Sequence, residues 1–561
     1  MLARVKRVVG VIASVPVLVS ALLTGVPQAE AAGLEAGFDV GSAGGRGLIW
    51  GPCAAPGSSA GALGSVLSGI GLSRPAEPSQ PAVECATVRV PLDYAEPEGQ
   101  QIKLAVNRIR GSVSRDANHL GVLLVNPGGP GASGLRLAEY VASALPADVA
   151  ARYDVIGFDP RGVGASTPSM TCVDAERYYA PPRLDSVPRS PADETALLAR
   201  AQQYAQACGD HWGWFLPYLT TENAVRDMDA IRQALGEDKI SYLGYSYGTY
   251  LGSVYATMFP AHVRRLVLDS VVDPGDVWYD ANINQDYAFD RRHRDFLAWV
   301  AKNDAIYRLG TSSQDVSFAW YAMRDRLGRR PAGDVVGPSE LDDTYTVGGY
   351  TDNVWPTLAA AFSAYVRNGD TAPLVQAYRD IADNGPGAEN GYAVYLGIQC
   401  HDAPWPRDWD RWRRDTTRVA AHAPFMAWPN AVYNAPCAFW PEHALTPPHV
   451  GSADLPPVLL IQSRHDAATP YPGALDVRGL FPTARLVTEP GGNHGVSLGG
   501  NACVDRYLAD YLRDALAAPR RLAARGPDAV CPGLPEPRPA ARMAYGSGDR
   551  HLALTRALLG R

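Results

Sequence analysis

The chain has 561 residues, of which 46% are hydrophobic and 19% are charged, and this composition is typical of a globular protein and excludes wholesale disorder. The 51 basic and 58 acidic side chains leave a formal charge of −7, and the absence of a basic cluster argues against a nucleic-acid partner. At about 100–200 residues per domain, the length allows one large decorated domain or two to four smaller ones.

Residues 1–32 have the pattern of a signal peptide. Residues 4–7 carry three basic side chains, Val8–Leu23 is uncharged and apolar, and Ala29-Glu-Ala31 matches a small-x-small cleavage site. The apolar run is short for a membrane-spanning helix, which needs about 20 residues. We therefore expect a secreted, extracellular protein without a stable membrane anchor. An uncleaved anchor is the alternative.

Eight cysteines follow this segment, and an even number in an exported chain predicts disulfides. Zinc binding is the alternative interpretation, but no CxxC or CxxH spacing occurs, so no metal site is expected. Locality favours pairing each cysteine with its neighbour in order: Cys53 with Cys85, Cys172 with Cys208, Cys400 with Cys437, and Cys503 with Cys531.

The next elements indicate a leader followed by a sheet. Residues 33–80 are rich in Gly, Ala, Ser and Pro, which predicts a leader or surface loop, or a propeptide. Two alternating segments, Ala86–Pro91 and Ile102–Ile109, are then expected to pair as antiparallel strands. Continuous apolar runs with intervening helices predict a parallel sheet covered on both faces. The runs begin at Gly121, Asp154, Ile240 and Arg265, and two more begin at Val458 and Ala484.

Two stretches between these strands are informative. Apolar residues recur at helical spacing over Thr221–Leu235, and Gly236 is a plausible helix end. The interval 274–450 holds nine of the twelve tryptophans and is mostly helix-like. An aromatic-rich insertion at this place in an α/β chain predicts a lid over the substrate. A second core with ordinary tryptophan packing is the alternative.

The pentapeptide Gly244-Tyr-Ser246-Tyr-Gly248 follows a predicted strand and precedes a helix-like run, which is the context of a nucleophile elbow. Such a serine needs an acid and a histidine later in the chain. Asp466 and His494 each come just after one of the two late strands. His465 adjoins Asp466, but it precedes the last strand and adjacent side chains rarely face each other. Ser246, Asp466 and His494 are therefore the predicted catalytic residues.

A serine hydrolase also needs N–H donors for the developing oxyanion. The backbone of Tyr247, directly after the serine, supplies one donor. The second is expected in the glycine-rich loop after the strand at Gly121, where Asn126-Pro-Gly-Gly-Pro-Gly131 lies, and Gly129 is the candidate.

Taken together, Asn126–Gly131, Gly157-Phe-Asp-Pro-Arg-Gly-Val-Gly164, the elbow and the two late loops resemble exported actinobacterial tripeptidyl aminopeptidases, which are related to prolyl aminopeptidases. The resemblance covers about residues 80–535. It implies an α/β-hydrolase fold, with a mostly parallel central sheet and a large, mainly helical lid, and it implies the triad above. Pro127 stands where the relatives carry histidine, so any role of that side chain is lost, while the backbone N–H of Gly129 can still donate.

The predicted function is a serine aminopeptidase that releases tripeptides or short units from peptides with a free N-terminus, with no cofactor. A carboxylesterase with the same triad and a binding protein on an inactive hydrolase fold are the alternatives. The predicted segments are a signal peptide (1–32), a leader (33–80), the first core part (81–273), the lid (274–450), the second core part (451–535) and a C-terminal tail (536–561).

Asp402 is the first candidate to bind the substrate ammonium, since a buried charge needs a partner. It follows Cys400 and precedes Trp405, Trp409 and Trp412, which could wall a pocket. A solvated loop aspartate or a helix cap is the alternative interpretation.

Overall fold

The structure is a computed structural model that describes residues 48–53 and 82–558, except for positions 114, 116–117, 383–385, 515, 517, 523–524 and 541–549. The predicted signal peptide and most of the predicted leader lie outside the described residues.

Ten strands form one sheet in the described part of the chain, in the order β1-β2-β3-β5-β4-β6-β7-β8-β9-β10. Their bounds are β1 Gly51–Pro52, β2 Val83–Pro91, β3 Gln101–Ile109, β4 Val122–Asn126, β5 Asp154–Phe158, β6 Ile240–Tyr245, β7 Val263–Asp269, β8 Val458–Ser463, β9 Ala484–Glu489 and β10 Ala529–Val530.

The sheet is mostly parallel, as predicted. β2 and β3 pair antiparallel, with Val88 opposite Leu104, and β3 also runs antiparallel to β5. From β5 to β10 each adjacent pair is parallel. The strand order reverses at β4, which lies between β5 and β6, and such reversal points are where open α/β sheets bind their ligands.

The helices lie between and after the strands. Those before β8 and outside the long insertion are α1 Leu135–Ala144, α2 Ala147–Ala150, α3 Ala175–Tyr178, α4 Pro191–Trp212, α5 Thr221–Ala234 and α6 Tyr247–Met258. The insertion between β7 and β8 contains α7 Tyr279–Lys302, α8 Asp304–Tyr307, α9 Ser313–Arg329, α10 Pro338–Tyr350, α11 Trp355–Asn368, α12 Ala372–Ile381, α13 Pro386–Asp402, α14 Trp409–Ala420 and α15 Ala427–Asn434. The last helices are α16 Tyr471–Leu480, α17 Ala502–Arg513 and α18 Arg550–Leu558.

Apolar side chains explain why the sheet is covered on both faces. The parallel strands β4 to β6 are buried at every position, as their continuous apolar sequences predict. α5 buries Ala224, Met228 and Ile231, which recur at helical spacing, and it ends before Gly236 at φ +71°. Each face of the sheet therefore has its own apolar core.

The helical insertion has a separate apolar core. Trp299, Trp320 and Trp355 are buried in it among aliphatic side chains of α7 to α12. Trp405 and Trp412 instead stack on each other, with ring centroids 5.5 Å apart, and belong to the core that includes the elbow helix. The tryptophans of the insertion therefore serve both in ordinary packing and at its junction with the sheet.

The predicted leader is not uniformly a loop. Gly51–Pro52 forms the edge strand β1, which pairs antiparallel with β2 and places Gly51 opposite Cys85. The Cys53–Cys85 disulfide fixes this pairing. A strand of two residues has no recognisable alternation, which is why the sequence pattern did not reveal it.

All eight cysteines are paired in the neighbour-by-neighbour order that locality favours: Cys53–Cys85, Cys172–Cys208, Cys400–Cys437 and Cys503–Cys531. Cys400–Cys437 joins α13 to the short helical turn Ala435–Ala438, just before the chain returns to the sheet.

Peptide mapping of the unreduced protein is expected to recover Cys400 and Cys437 in one cross-linked fragment. The two residues are 37 positions apart, so replacing both by serine should lower the free energy of unfolding by about 3–4 kcal/mol, through the regained entropy of the unfolded chain. Chemical denaturation measures that loss. A free thiol at either position, or a link from either one to Cys503, would contradict the pairing.

Among the helices in the described ranges, none has the length and apolar character that crossing a bilayer requires.

Candidate active site

Ser246 lies in the turn between β6 and α6, in a strained backbone conformation with φ 57° and ψ −129°. A side chain at Gly244 would put its Cβ 2.4 Å from the carbonyl oxygen of Gly248, and one at Gly248 would lie 2.8 Å from the carbonyl oxygen of Asn126. The two glycines thus permit a turn too tight for other residues. Strain of this kind costs about 1–3 kcal/mol and is characteristic of functional sites.

His494 and Asp466 meet at the carboxyl edge of the sheet. The imidazole Nδ1 lies 2.9 Å from Asp466 Oδ2 and 3.0 Å from Oδ1, and both side chains are almost fully buried. Asp466 follows β8 and His494 follows β9, so two adjacent parallel strands bring them together. His465, in contrast, has an exposed side chain.

Asp466 is held by donors from its own loop. Its Oδ1 accepts hydrogen bonds from the backbone N–H groups of Ala468 and Thr469, and its Oδ2 accepts one from Thr469 Oγ1. The ring of Tyr350 packs edge-on against the imidazole of His494, with ring centroids 5.4 Å apart. The backbone carbonyl oxygen of Tyr350 accepts a hydrogen bond from the backbone N–H of His494. Acid and imidazole are therefore fixed relative to each other.

Asp269, at the end of β7, connects the serine turn to the histidine loop. Its carbonyl oxygen accepts the backbone N–H of Ser246, while its carboxylate accepts the backbone N–H groups of Val496 and Ser497. The side chain is fully buried, and burial raises its pKa to about 6 against the opposing effect of the Ser497 donors. Asp269 was not among the site residues predicted from the sequence, although a polar side chain at the end of an apolar strand is a pattern that indicates a site residue.

Tyr245, which precedes the serine, adds a second connection. Its hydroxyl donates to the carbonyl oxygen of Ser497 over 3.1 Å. The loop that carries His494 is thus hydrogen-bonded to Tyr245 at the end of β6 and to Asp269 at the end of β7, on either side of the serine turn.

Helix α18, in the segment 536–561 that was predicted to be a C-terminal tail, also contacts the loop that carries His494. His551 of α18 lies with Nε2 2.8 Å from the carbonyl oxygen of Gly495 and Nδ1 3.0 Å from Thr351 Oγ1. Leu554 and Leu558 pack against Gly495. The end of the chain therefore helps to hold the loop that carries His494.

The glycine-rich loop after β4 approaches the serine closely. A Cβ at Gly128 would lie 2.9 Å from both Ser246 Cβ and the backbone nitrogen of Tyr247, and Gly128 has φ +100°. The N–H of Gly128 donates to Asn126 Oδ1. In the described residues, no acceptor is found for the N–H groups of Gly129 and Tyr247. The N–H of Tyr247, directly after Ser246, and that of Gly129, in the loop that approaches it, are therefore both free to donate.

Residues of the motif Gly157–Gly164 form hydrogen bonds and an ion pair that support the glycine-rich loop. Asp159 accepts hydrogen bonds from Ser133 Oγ and the backbone N–H of Ala165, next to the glycine-rich loop. Arg161 is fully buried and pairs with both carboxylate oxygens of Asp227 at 2.7 Å. These residues connect the loop to α5.

Asp402 lies at the end of α13 and contacts the start of α5. Its Oδ1 accepts the backbone N–H of Thr221, the first residue of α5, over 3.0 Å. Burial raises the pKa of this carboxyl to about 7, with Thr221 opposing the rise. This contact fits the helix-cap interpretation, because the N–H groups at a helix start lack intrahelical acceptors. The other oxygen, Oδ2, is buried and has no hydrogen-bond partner in the described residues, and the role of Asp402 in ammonium binding stays a prediction.

The chain is similar to known proteins both in its family pattern and in its sequence. The model of the alpha/beta hydrolase fold matches residues 121–500, which span β4 to the histidine loop. The chain is 47% identical to the tripeptidyl aminopeptidase of Streptomyces lividans over 453 residues, which cover 78% of this chain and 84% of that protein.

Two relatives from Mycobacterium tuberculosis are more distant. The serine protease Hip1 is 35% identical over 450 residues, covering 76% of this chain and 84% of that protein. Carboxylesterase B is 34% identical over 455 residues, covering 78% and 85% respectively. The similarity in each case extends over the sheet and the helical insertion together.

Proposed function

Because this chain belongs to the α/β-hydrolase family, in the group that contains the tripeptidyl aminopeptidases, we propose that it is a secreted serine peptidase that releases tripeptides or other short units from free peptide N-termini. The observation that carries the proposal is the buried His494–Asp466 pair, held on the loop that Asp269 connects to the strained Ser246.

In the proposed reaction, Ser246 attacks the scissile carbonyl carbon and its proton passes to His494 Nε2. Asp466 binds the Nδ1 side of the ring, which keeps Nε2 unprotonated and stabilises the imidazolium that forms. His494 then protonates the leaving amine, and an acyl-enzyme remains on Ser246. Water hydrolyses this ester by the same proton transfers in reverse.

The N–H groups of Tyr247 and Gly129 are the proposed oxyanion donors. Support comes from their lack of other acceptors in the described chain and from the close approach of the glycine-rich loop to Ser246. Because such donors are already oriented in the free enzyme, they stabilise the developing charge without reorganisation. Pro127 contributes no N–H, so the loop acts through its glycine backbone.

The peptide assignment rests on the named activities of two relatives, a tripeptidyl aminopeptidase and a serine protease. Carboxylesterase B is the observation that favours the second candidate, an esterase using the same triad on small or lipid-like esters. Export is supported by the signal-like residues 1–32 and by the four disulfides, which form in oxidising compartments.

Comparison of a tripeptide anilide with a short acyl ester is the deciding experiment. We expect the anilide to be cleaved between its third residue and the aniline, with a kcat/KM above that of a dipeptide or tetrapeptide anilide. Mass spectrometry of digested peptides should show loss of three-residue units from the N-terminus. Turnover of the ester without any anilide or peptide cleavage would replace the peptidase by the esterase.

A further inference from the structure

A small cavity lies inside the helical insertion, between α7, α14 and α15. Its apolar wall includes Tyr279, Trp405 and Trp412, and its polar wall includes Asn282, Asp286 and Asn430. The free space fits a group about the size of one or two water molecules. A cavity with one carboxylate and several aromatic rings has the chemistry of a cation site.

Asp286 is the acidic group of this cavity, and it has no cationic partner in the described chain. Its side chain is buried, and Oδ1 accepts a hydrogen bond of 2.9 Å from Asn430 Nδ2. No side chain in the described ranges bonds to its other oxygen. Burial raises the pKa of Asp286 well above its ordinary value, and the Asn430 contact opposes that rise only in part.

A hydrogen-bond network fixes the polar wall. Asn434 donates to the side-chain oxygens of Asn282 and Asn430, and it accepts from the hydroxyl of Tyr395. Asn430 also donates to the carbonyl oxygen of Asn282. Because Asn430 is held in this way, its remaining N–H keeps the carboxylate of Asp286 in place.

Helix α7 connects the cavity to the residues around the proposed acid and imidazole. Gln285, next to Asp286, donates to the carbonyl oxygen of Ala468, two residues after Asp466. Phe289, one turn further along α7, contacts Tyr350 at 5.3 Å, and Tyr350 contacts His494. The stretch of α7 that carries Asp286 therefore packs directly against the residues that hold the acid and the imidazole.

We propose that Asp286 binds the α-ammonium group of the peptide substrate, with Tyr279, Trp405 and Trp412 forming the wall around it. The assignment rests on the proposed peptidase function and adds where the enzyme recognises the free N-terminus. An ammonium matches the size of the cavity, and its positive charge would favour the ionised form of a carboxyl group that burial otherwise keeps neutral. Three extended residues span about 10 Å, so the amine must bind at about that distance from Ser246 rather than beside it.

The experiment measures kcat/KM for a tripeptide anilide with a free amine and for its N-acetylated form, with a short acyl ester as the reference substrate. The wild type is expected to prefer the free amine. Asp286→Asn is expected to lower kcat/KM for the free-amine anilide by about 10- to 100-fold, because a charge-assisted contact is lost. The acetylated anilide should lose much less, so the preference should collapse.

Asp402→Asn is the matched control, since it removes another buried carboxyl of the same insertion that caps α5 instead. It is expected to retain the wild-type preference for the free amine. A retained preference in folded Asp286→Asn would overturn the proposal, and so would equal cleavage of both anilides by the wild type. Ester turnover without cleavage of either anilide would instead refute the peptidase function itself.

A second variant covers the case in which Asp286→Asn does not fold, as judged by loss of labelling with a fluorophosphonate. Thr416 lines the same cavity from α14, and Thr416→Lys would supply a tethered ammonium there. That variant is expected to lose the preference for the free amine while Asp286 is unchanged. If its preference stays as in the wild type, the cavity is a structural polar network only.

Discussion

Ser246→Ala is expected to reduce kcat/KM for a tripeptide anilide by about 10³-fold or more, because the covalent step loses its nucleophile. Alanine keeps the Cβ that the turn already accommodates, so the fold should be retained. Enzyme assays with purified protein measure the loss. Labelling by a fluorophosphonate should disappear with it.

Ser253→Ala is the matched control, because Ser253 is another serine of the same segment, buried on α6 two turns beyond the elbow. Its activity should stay within a few-fold of wild type. Activity of Ser246→Ala within tenfold of wild type, in protein free of contaminating hydrolases, would disprove the role assigned to this serine.

Asp466→Asn is expected to lower kcat/KM by about 10³- to 10⁴-fold while the protein stays folded. Oδ1 of Asp466 accepts two backbone N–H groups, so the amide oxygen of asparagine should occupy that position. The amide NH₂ would then replace Oδ2, which lies 2.9 Å from His494 Nδ1. A donor at this place forces the proton onto Nε2, and the imidazole can no longer accept the proton of Ser246.

Steady-state kinetics and the rate of fluorophosphonate labelling should fall together, because both need the same base. Asp476→Asn, an exposed substitution ten residues further along the chain, is the control and should behave as wild type. A decrease of less than tenfold in folded Asp466→Asn would mean that another group orients His494.

Local patterns in the sequence predicted most of the sheet. The continuous apolar runs at Gly121, Asp154 and Ile240 became buried parallel strands, and the alternating segments became the antiparallel pair β2 and β3. Such strands are predictable because burial on both faces requires a continuous apolar run, and burial on one face requires alternating apolar and polar side chains. The two-residue strand β1 has too few side chains to show such a pattern.

The order of Ser246, Asp466 and His494 could likewise be predicted, because each follows a strand and parallel strands end at one edge of the sheet. The connections around them could not be predicted. Asp269, Tyr350 and His551 reach the histidine loop from a strand, the insertion and the C-terminal helix. Because these residues are far from the histidine loop along the chain, no local pattern shows which of them contact it, and only packing brings them together.

The sequence by itself determined the fold class and the strand–turn–helix context of Ser246, and it predicted the triad, since these depend on neighbouring residues and on strand order. The tertiary structure alone decided between Asp402 and Asp286 as the carboxylate that faces the cavity lined by Trp405 and Trp412. Both are buried aspartates on helices of the insertion. Asp402 accepts the backbone N–H of Thr221 at the start of α5. Asp286 instead accepts a hydrogen bond from Asn430 and lines the cavity. A buried carboxylate takes its role from the donors that packing places around it, and those donors come from distant parts of the chain.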